Sequence, residues 1–243
     1  QRNGSGGSGG AIKITATALS GTGRVHADGG AAASNTSNPG AHGGGGRVAL
    51  LYGGGGLDAT QVTAYPGRGE GRRAAAAGTV WIQRGTEVAS LVLDDGGFGG
   101  GDGRALGFQA SDVTQTLGAK LVLRGTTRLA LAAPLVVDEL RLEGTSVLTQ
   151  LETTAAYEGG VSVTANVIHI ASGAAIDVSG RGYLCDCAAG ASCGAGARTI
   201  GQRQDAGWGA RQGAGGSHGG QGYGNAGRVF DVIRAPLASG GGG

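Results

Sequence analysis

Glycine tracts restrict this chain more than any other feature. Glycine fills 56 of 243 positions and gathers in runs such as Gly43 to Gly46, Gly53 to Gly56, Gly99 to Gly101 and Gly240 to Gly243. An ordered glycine loses more backbone freedom on folding than any other residue. Keeping so many in one fold implies either mobile loops or backbones that approach too closely for side chains. Short apolar runs separate the tracts: Ala11 to Ile14, Arg47 to Leu51, Thr79 to Ile82, Lys120 to Leu123 and Asn166 to Ile170. Rich in Val, Ile and Leu and bounded by turn residues, these read as strands. Aromatics are 4 % of residues and Met is absent, so the core must be narrow and aliphatic. A chain of stacked coils suits such a core, because each coil buries its apolar face on the next.

A repeat runs through the middle of the chain. An apolar residue, a second two positions on and a third eight positions from the first recur as Leu121, Leu123, Leu129 and as Leu140, Leu142, Leu148. Ile168, Ile170, Ile176 and Val80, Ile82, Val88 fit the same pattern. Gly or small polar residues lie inside each set, at Arg84-Gly85-Thr86, Gly125-Thr126-Thr127, Gly144-Thr145-Ser146 and Ser172-Gly173. The pattern predicts a strand, a tight turn and a second short strand, with i and i+2 on one face. The first members are spaced by 41, 19 and 28 residues, which fits coils of about twenty residues with an insertion near residues 152–160. Coils of this length predict an all-β fold, a right-handed parallel β-helix, running as one elongated β-solenoid over residues 1–243. The Gly-rich excursions fall at about 29–46, 66–78, 95–107 and 180–227.

A longer repeat joins the two ends of the chain. Ile12-Lys13-Ile14, then Arg24 to Gly30, then Ala41-His42-Gly43-Gly44, then Gly46-Arg47-Val48 has a counterpart. It runs through Ile168-His169-Ile170, Ala175 to Gly180, Ser217-His218-Gly219-Gly220 and Gly227-Arg228-Val229, with a longer excursion inside it. Ser20 to Gly30 and Gly43 to Leu50 together resemble the glycine-rich β-helix repeats of very large secreted bacterial surface proteins, many of them adhesin-like. The resemblance spans residues 5–66 and, more weakly, 160–234; it implies a repeat style and brings no catalytic residues. The Gly-rich excursions also resemble those of phage tail-tip adhesins, whose glycine tracts pack as polyglycine II helices. Both irregular loops and packed glycine helices are open readings of these tracts.

Few residues suggest chemistry. Asp94, Asp95 and Asp102 bracket a Gly-rich turn similar to a calcium-binding nonapeptide, but the register is one residue off and the unit never repeats. A solvated turn is the default there, Ca2+ the alternative, and no cofactor is expected. Asp138, Glu139 and Glu143 lie near Arg141, and alternation around Leu140 and Leu142 turns Arg141 and the acids outward. His26, His42, His169 and His218 make no metal-ligand spacing. No glycine tract is followed by the lysine of a phosphate loop. Tyr183, Trp208 and Tyr223 sit in the long excursion, as self-packing residues or as contacts to a ligand such as a sugar ring. Cys193 paired with Cys185 or Cys187 would staple that excursion and place the chain in an oxidising, extracellular setting.

The formal charge of +2 gives no strong pull toward nucleic acid, and no run is long enough to span a membrane. No signal peptide is visible, and the chain reads as a mature or excised piece of something longer. The expected function is a non-catalytic structural or adhesive role in a secreted or cell-surface protein. Self-association end to end into fibres and contact with cell surfaces or glycans are the expected partnerships. The alternative is an enzyme acting on extracellular polysaccharide, which requires an acidic cluster along one sheet face.

Overall fold

The structure, a computed structural model, describes residues 4–32, 40–69, 75–98, 106–107, 117–151 and 160–182, and the isolated positions 219, 233, 234 and 236. The chain divides into two compact units. The first comprises Gln1–Ala130, Pro134–Thr149 and Val163–Ile176; the second comprises Leu131–Ala133, Gln150–Ser162 and Asp177–Gly243. In the second unit the Gln150 amide donates to the Arg181 carbonyl at 3.1 Å, and Leu151 N donates to the Leu131 carbonyl at 3.2 Å.

The described fold is all-β, with mixed parallel and antiparallel pairing. Its strands are β1 (Ala11–Ala18), β2 (Val25–His26), β3 (Arg47–Gly54), β4 (Val62–Thr63), β5 (Thr79–Arg84), β6 (Ala89–Asp94) and β7 (Leu106–Gly107). β8 (Leu117–Arg124), β9 (Arg128–Leu131), β10 (Leu135–Leu142), β11 (Val147–Gln150), β12 (Val163–Ile170) and β13 (Ala175–Ile176) follow. Seven of them form one sheet in the order β1-β3-β5-β6-β8-β10-β12. The short strands make a four-stranded sheet, β13-β11-β9-β7, and a pair, β2-β4.

The leucine repeat is the register of these sheets. Leu121 pairs with Leu140 and Leu123 with Leu142, and these in turn pair with Ile168 and Ile170. The third members follow suit, with Leu148 against Ile176. All six leucines of the two middle sets are fully buried. The turns between the paired strands are alike. Gly125 and Gly144 have φ of 67° and 68°, a left-handed conformation that glycine adopts without strain. Thr145 N donates to the Gly125 carbonyl at 2.8 Å, so one turn is bonded onto the next.

The fourth set, Val80, Ile82 and Val88, does not belong to this series. β5 and β6 form an antiparallel hairpin, the one reversal in an otherwise parallel sheet, and Val88 lies exposed beside its turn. Spacing counts residues and is blind to strand direction, so a hairpin matched the pattern of a coil. The reversal has a second effect. Cross-strand partners share a face, and the hairpin pairs Val80 with Val92, Trp81 with Leu91 and Ile82 with Ser90. Val80 belongs to the core of the first half, with Val48, Leu50, Ala27, Val62 and Ala64. Leu91 and Leu93 lie on the other face and align with Leu121 and Leu123. The core therefore changes sides of the sheet at the hairpin. Strand direction and core face invert together, which is a half-turn about the stacking axis.

Burial sets the cost of change along this register. Leu140→Ala removes a fully buried side chain between two paired neighbours and should cost about 2–5 kcal/mol. Ile168→Ala, next in the same row but 46 % exposed, should cost well under half of that; chemical denaturation of both variants checks the ranking.

Candidate functional site

Five extended segments, residues 4–10, 27–32, 40–46, 63–69 and 75–79, pack side by side next to the strands they lead into or follow. Their hydrogen bonds advance by three residues. Gly6 N and Gly9 N donate to the Ala41 and Gly44 carbonyls, each at 2.9 Å. Gly43 N and Gly46 N donate to the Gly30 and Ala27 carbonyls at 3.0 and 2.7 Å. Gly67 N reaches the Gly43 carbonyl and Gly45 N the Ala76 carbonyl, so segment 40–46 bonds all four of the others. A β-strand, with its period of two, bonds only two lateral neighbours.

Glycine is required by this closeness. A Cβ on Gly6, Gly43, Gly45 or Gly78 would be driven into the carbonyl oxygen of Gly30, Gly7, Ala64 or Gly46. The same holds for Gly9, Gly29, Gly46 and Gly67 against backbone oxygens. Gly7 and Gly10 point outward and meet nothing. Between the open readings of the tracts, the described parts of 29–46 and 66–78 are held by backbone bonds to neighbouring segments. Polar side chains tie the bundle further. Tyr65 N donates to Asp28 Oδ1 at 2.7 Å, and Ala32 N donates to His42 Nδ1 at 3.1 Å. The Arg68 guanidinium lies 4.1 Å from the Phe98 ring centroid and 5.2 Å from that of Tyr65, within cation–π range of both.

Beside the bundle lies a cavity of about 400 Å3. It opens where the first core ends and the sheet continues with its other face bare. Val62, Ala64, Val80, Ile82, Val92 and Val122 supply apolar walls; Thr63, Tyr65, Ser90, Asp94 and Arg124 supply the polar groups. Burial pushes the Tyr65 phenol above its usual range, and the Asp94 charge adds to the shift. A second cleft, of about 520 Å3, lies on the opposite face beside Trp81, Leu91, Lys13 and Arg47, where the second core begins.

The acidic turn of the sequence divides into two roles. Asp95 is buried, which corrects the expectation of a solvated turn. Its Oδ1 accepts from Gly97 N and Thr126 N, both at 2.9 Å, and its Oδ2 accepts from the Thr126 hydroxyl. This carboxylate staples one turn to the next, and a side chain on Gly125 would collide with it. Asp94 Oδ1 caps its own turn through Gly96 N at 2.7 Å. Asp102 lies outside the described residues. Among the described residues no three His, Cys, Asp or Glu side chains gather as a metal site.

Glu139, Arg141 and Glu143 lie on the face of β10 and its following turn that points away from the leucines, as alternation required. Arg141 bonds Glu139 at 3.1 Å and Glu143 at 3.2 Å; Lys120 and Arg124 bond the same two acids at 3.3 and 2.9 Å. Hydrogen bonds from Arg141 and Lys120 hold the Glu139 carboxyl below its ordinary range. Burial pushes Glu143 up, but the hydrogen bonds from Arg124 and Arg141 outweigh it and leave it lowered. Two carboxylates held ionised cannot furnish the protonated acid of glycoside hydrolysis at neutral pH.

Tyr183, Trp208, Tyr223 and the cysteines Cys185, Cys187 and Cys193 lie outside the described residues, as does His218. The residues that sequence reasoning passed over are Tyr65, Arg68, Ser90 and Phe98. Spacing offers no signal for them, because the hairpin and the bundle bring them together. Among the described residues no helix is long and apolar enough to cross a membrane. No family model, curated protein or solved structure matches the chain.

Gly45→Ala should destabilise the protein by about 3 kcal/mol, whereas Gly10→Ala should be neutral or stabilising by about 0.4–1 kcal/mol; thermal melts of the pair test the bundle. The lowered carboxyls give a second test. A group with a depressed folded pKa stabilises above its unfolded value, about 4.3 for Glu, and that contribution is lost as pH falls through the folded value. The melting midpoint should therefore drop below about pH 4. Glu139→Gln/Glu143→Gln should melt lower at pH 7 and show a flatter acid limb.

Proposed function

We propose that this chain is a non-catalytic structural and adhesive module of a secreted or cell-surface protein, built as a parallel β-helix in two halves and braced by polyglycine II helices. The observation that carries the reading is the glycine bundle. Three-residue hydrogen-bond steps to neighbours on several sides are what a threefold extended helix makes, and glycine is needed where its faces meet. Such a bundle gives rigidity and exposes no reactive group. The right-handed sense rests on the strong preference of parallel crossovers for that hand. The likeness to large bacterial surface proteins in residues 5–66 agrees with this role. The engaged acids of the outer face weigh against the polysaccharide-cleaving alternative.

The two strands that end the long sheet among the described residues support self-association. β12 carries Ile168 and Ile170 in the rows that are core in β8 and β10, yet they are 46 % and 47 % exposed. β1 is the outer strand on the other side. Backbone groups along such edges, with apolar side chains beside them, invite pairing between chains. Negative-stain electron microscopy of the purified protein over a concentration series should show rods or filaments that lengthen with concentration. Discrete particles of one size, together with a monomer mass by sedimentation at the highest concentration, would remove the assembly part of this proposal.

A further inference from the structure

The cavity beside the glycine bundle has the chemistry of a sugar site. Three polar groups line it without a hydrogen-bond partner among the described residues: the hydroxyls of Tyr65 and Ser90, and Oδ2 of Asp94. They come from separate parts of the chain. Tyr65 follows Ala64 at the end of the first core, while Ser90 and Asp94 stand in one row of β6, two positions either side of Val92. Between them Val80, Ile82, Val92 and Val122 make an apolar floor. Val122 is 6 % exposed although it points away from the leucine core, so this patch is recessed.

Each class of ligand makes different demands on such a site. A wholly apolar ligand would strip water from three polar groups and return no hydrogen bonds, at a cost of order 1–3 kcal/mol each. An anionic group would meet the Asp94 carboxylate, and the facing Arg124 already donates to Glu143 at 2.9 Å. A neutral ring with C–H bonds on its faces and hydroxyls at its edge satisfies both walls. The volume, about 400 Å3, lies within the range of small-molecule sites and holds one or two such rings.

We propose that this cavity binds a neutral pyranose residue of a glycan, with the sugar C–H face on Val92 and Val122 and its hydroxyls on Asp94 Oδ2, Ser90 Oγ and Tyr65 Oη. The inference rests on the adhesive reading and supplies its ligand class. Asp94 accepts two neighbouring hydroxyl protons, Ser90 and Tyr65 donate or accept, and the aromatic edge of Tyr65 closes the end nearest Arg68. The Arg68 guanidinium between Tyr65 and Phe98 holds that end in place.

Saturation-transfer difference NMR and titration calorimetry on the whole chain, with glucose, galactose, mannose, N-acetylglucosamine and their β-linked disaccharides, test the assignment. At least one should bind, with transfer strongest at ring C–H protons. Ser90→Ala and Asp94→Asn should each weaken it by on the order of tenfold without lowering the melting midpoint. Asp94→Asn keeps an oxygen for Gly96 N, so its loss of binding is not a loss of the turn. Tyr65→Phe, which keeps the ring over Arg68, should weaken binding by a smaller factor. Absence of binding by every sugar, or binding that Ser90→Ala and Asp94→Asn leave unchanged, overturns the site. If rods still form while no sugar binds, the cavity assignment falls alone; if sugars bind and no rods form, the assembly reading falls instead.

Discussion

The structure depends first on a backbone with nowhere to send its hydrogen bonds except to other backbone. Segment 40–46 is surrounded by four neighbours, and its N–H and C=O groups are drawn off to different sides in turn. Buried peptide groups without partners are costly, and only neighbours at main-chain distance can serve this segment. Main-chain distance leaves no room for Cβ, which makes Gly43, Gly45 and Gly46 a condition of the packing. Conformational entropy opposes such a core, because each glycine gives up more freedom than another residue would. The density of backbone bonding is the compensation available, since Gly43 to Gly46 have no side chains to bury.

Beyond the bundle the design changes. From β6 onward the core is leucine on leucine, row above row, with Gly125 and Gly144 at the turns between paired strands. Asp95 shows the same logic at the scale of one side chain. Its carboxylate takes three donors from its own turn and from the next, and it fits only because Gly125 has no Cβ. The cleft beside Tyr65 arises from the change of design. The first core stops at Ala64 and Val80 while the sheet runs on, so Ser90, Val92 and Asp94 are left facing a wall of the preceding half.

The sequence made part of this legible. The rows of Leu121, Leu140 and Ile168 could be read directly, because burial on one face of a strand imposes a period of two and stacking imposes a constant offset. The outward pairing of Arg141 with Glu139 and Glu143 followed from the same alternation. The hairpin at Gly85 was not legible. Val80, Ile82 and Val88 obey the spacing rule, and nothing in a residue count distinguishes a strand that turns back from one that coils on. The burial of Asp95 was hidden for a related reason: its partner Thr126 lies 31 residues away, in the turn after β8. Tyr65, Ser90 and Asp94 likewise meet only through the exchange of faces, so no local motif marks them.

That exchange also decides what the long sheet offers to its surroundings. A wall whose core stays on one side has a single outer chemistry. Here each side is inner over half its width and outer over the other half. On one side the outer half shows Lys13, Thr15, Thr17, Leu51 and Gln83 beside the cleft at Trp81 and Arg47, a strip whose charges are cationic. On the other it shows Lys120, Glu139 and Arg141 locked in mutual ion pairs. A chain laid flat against a surface by either strip still turns the opposite face toward solvent, so one sheet carries two unlike labels, on opposite faces and in opposite halves.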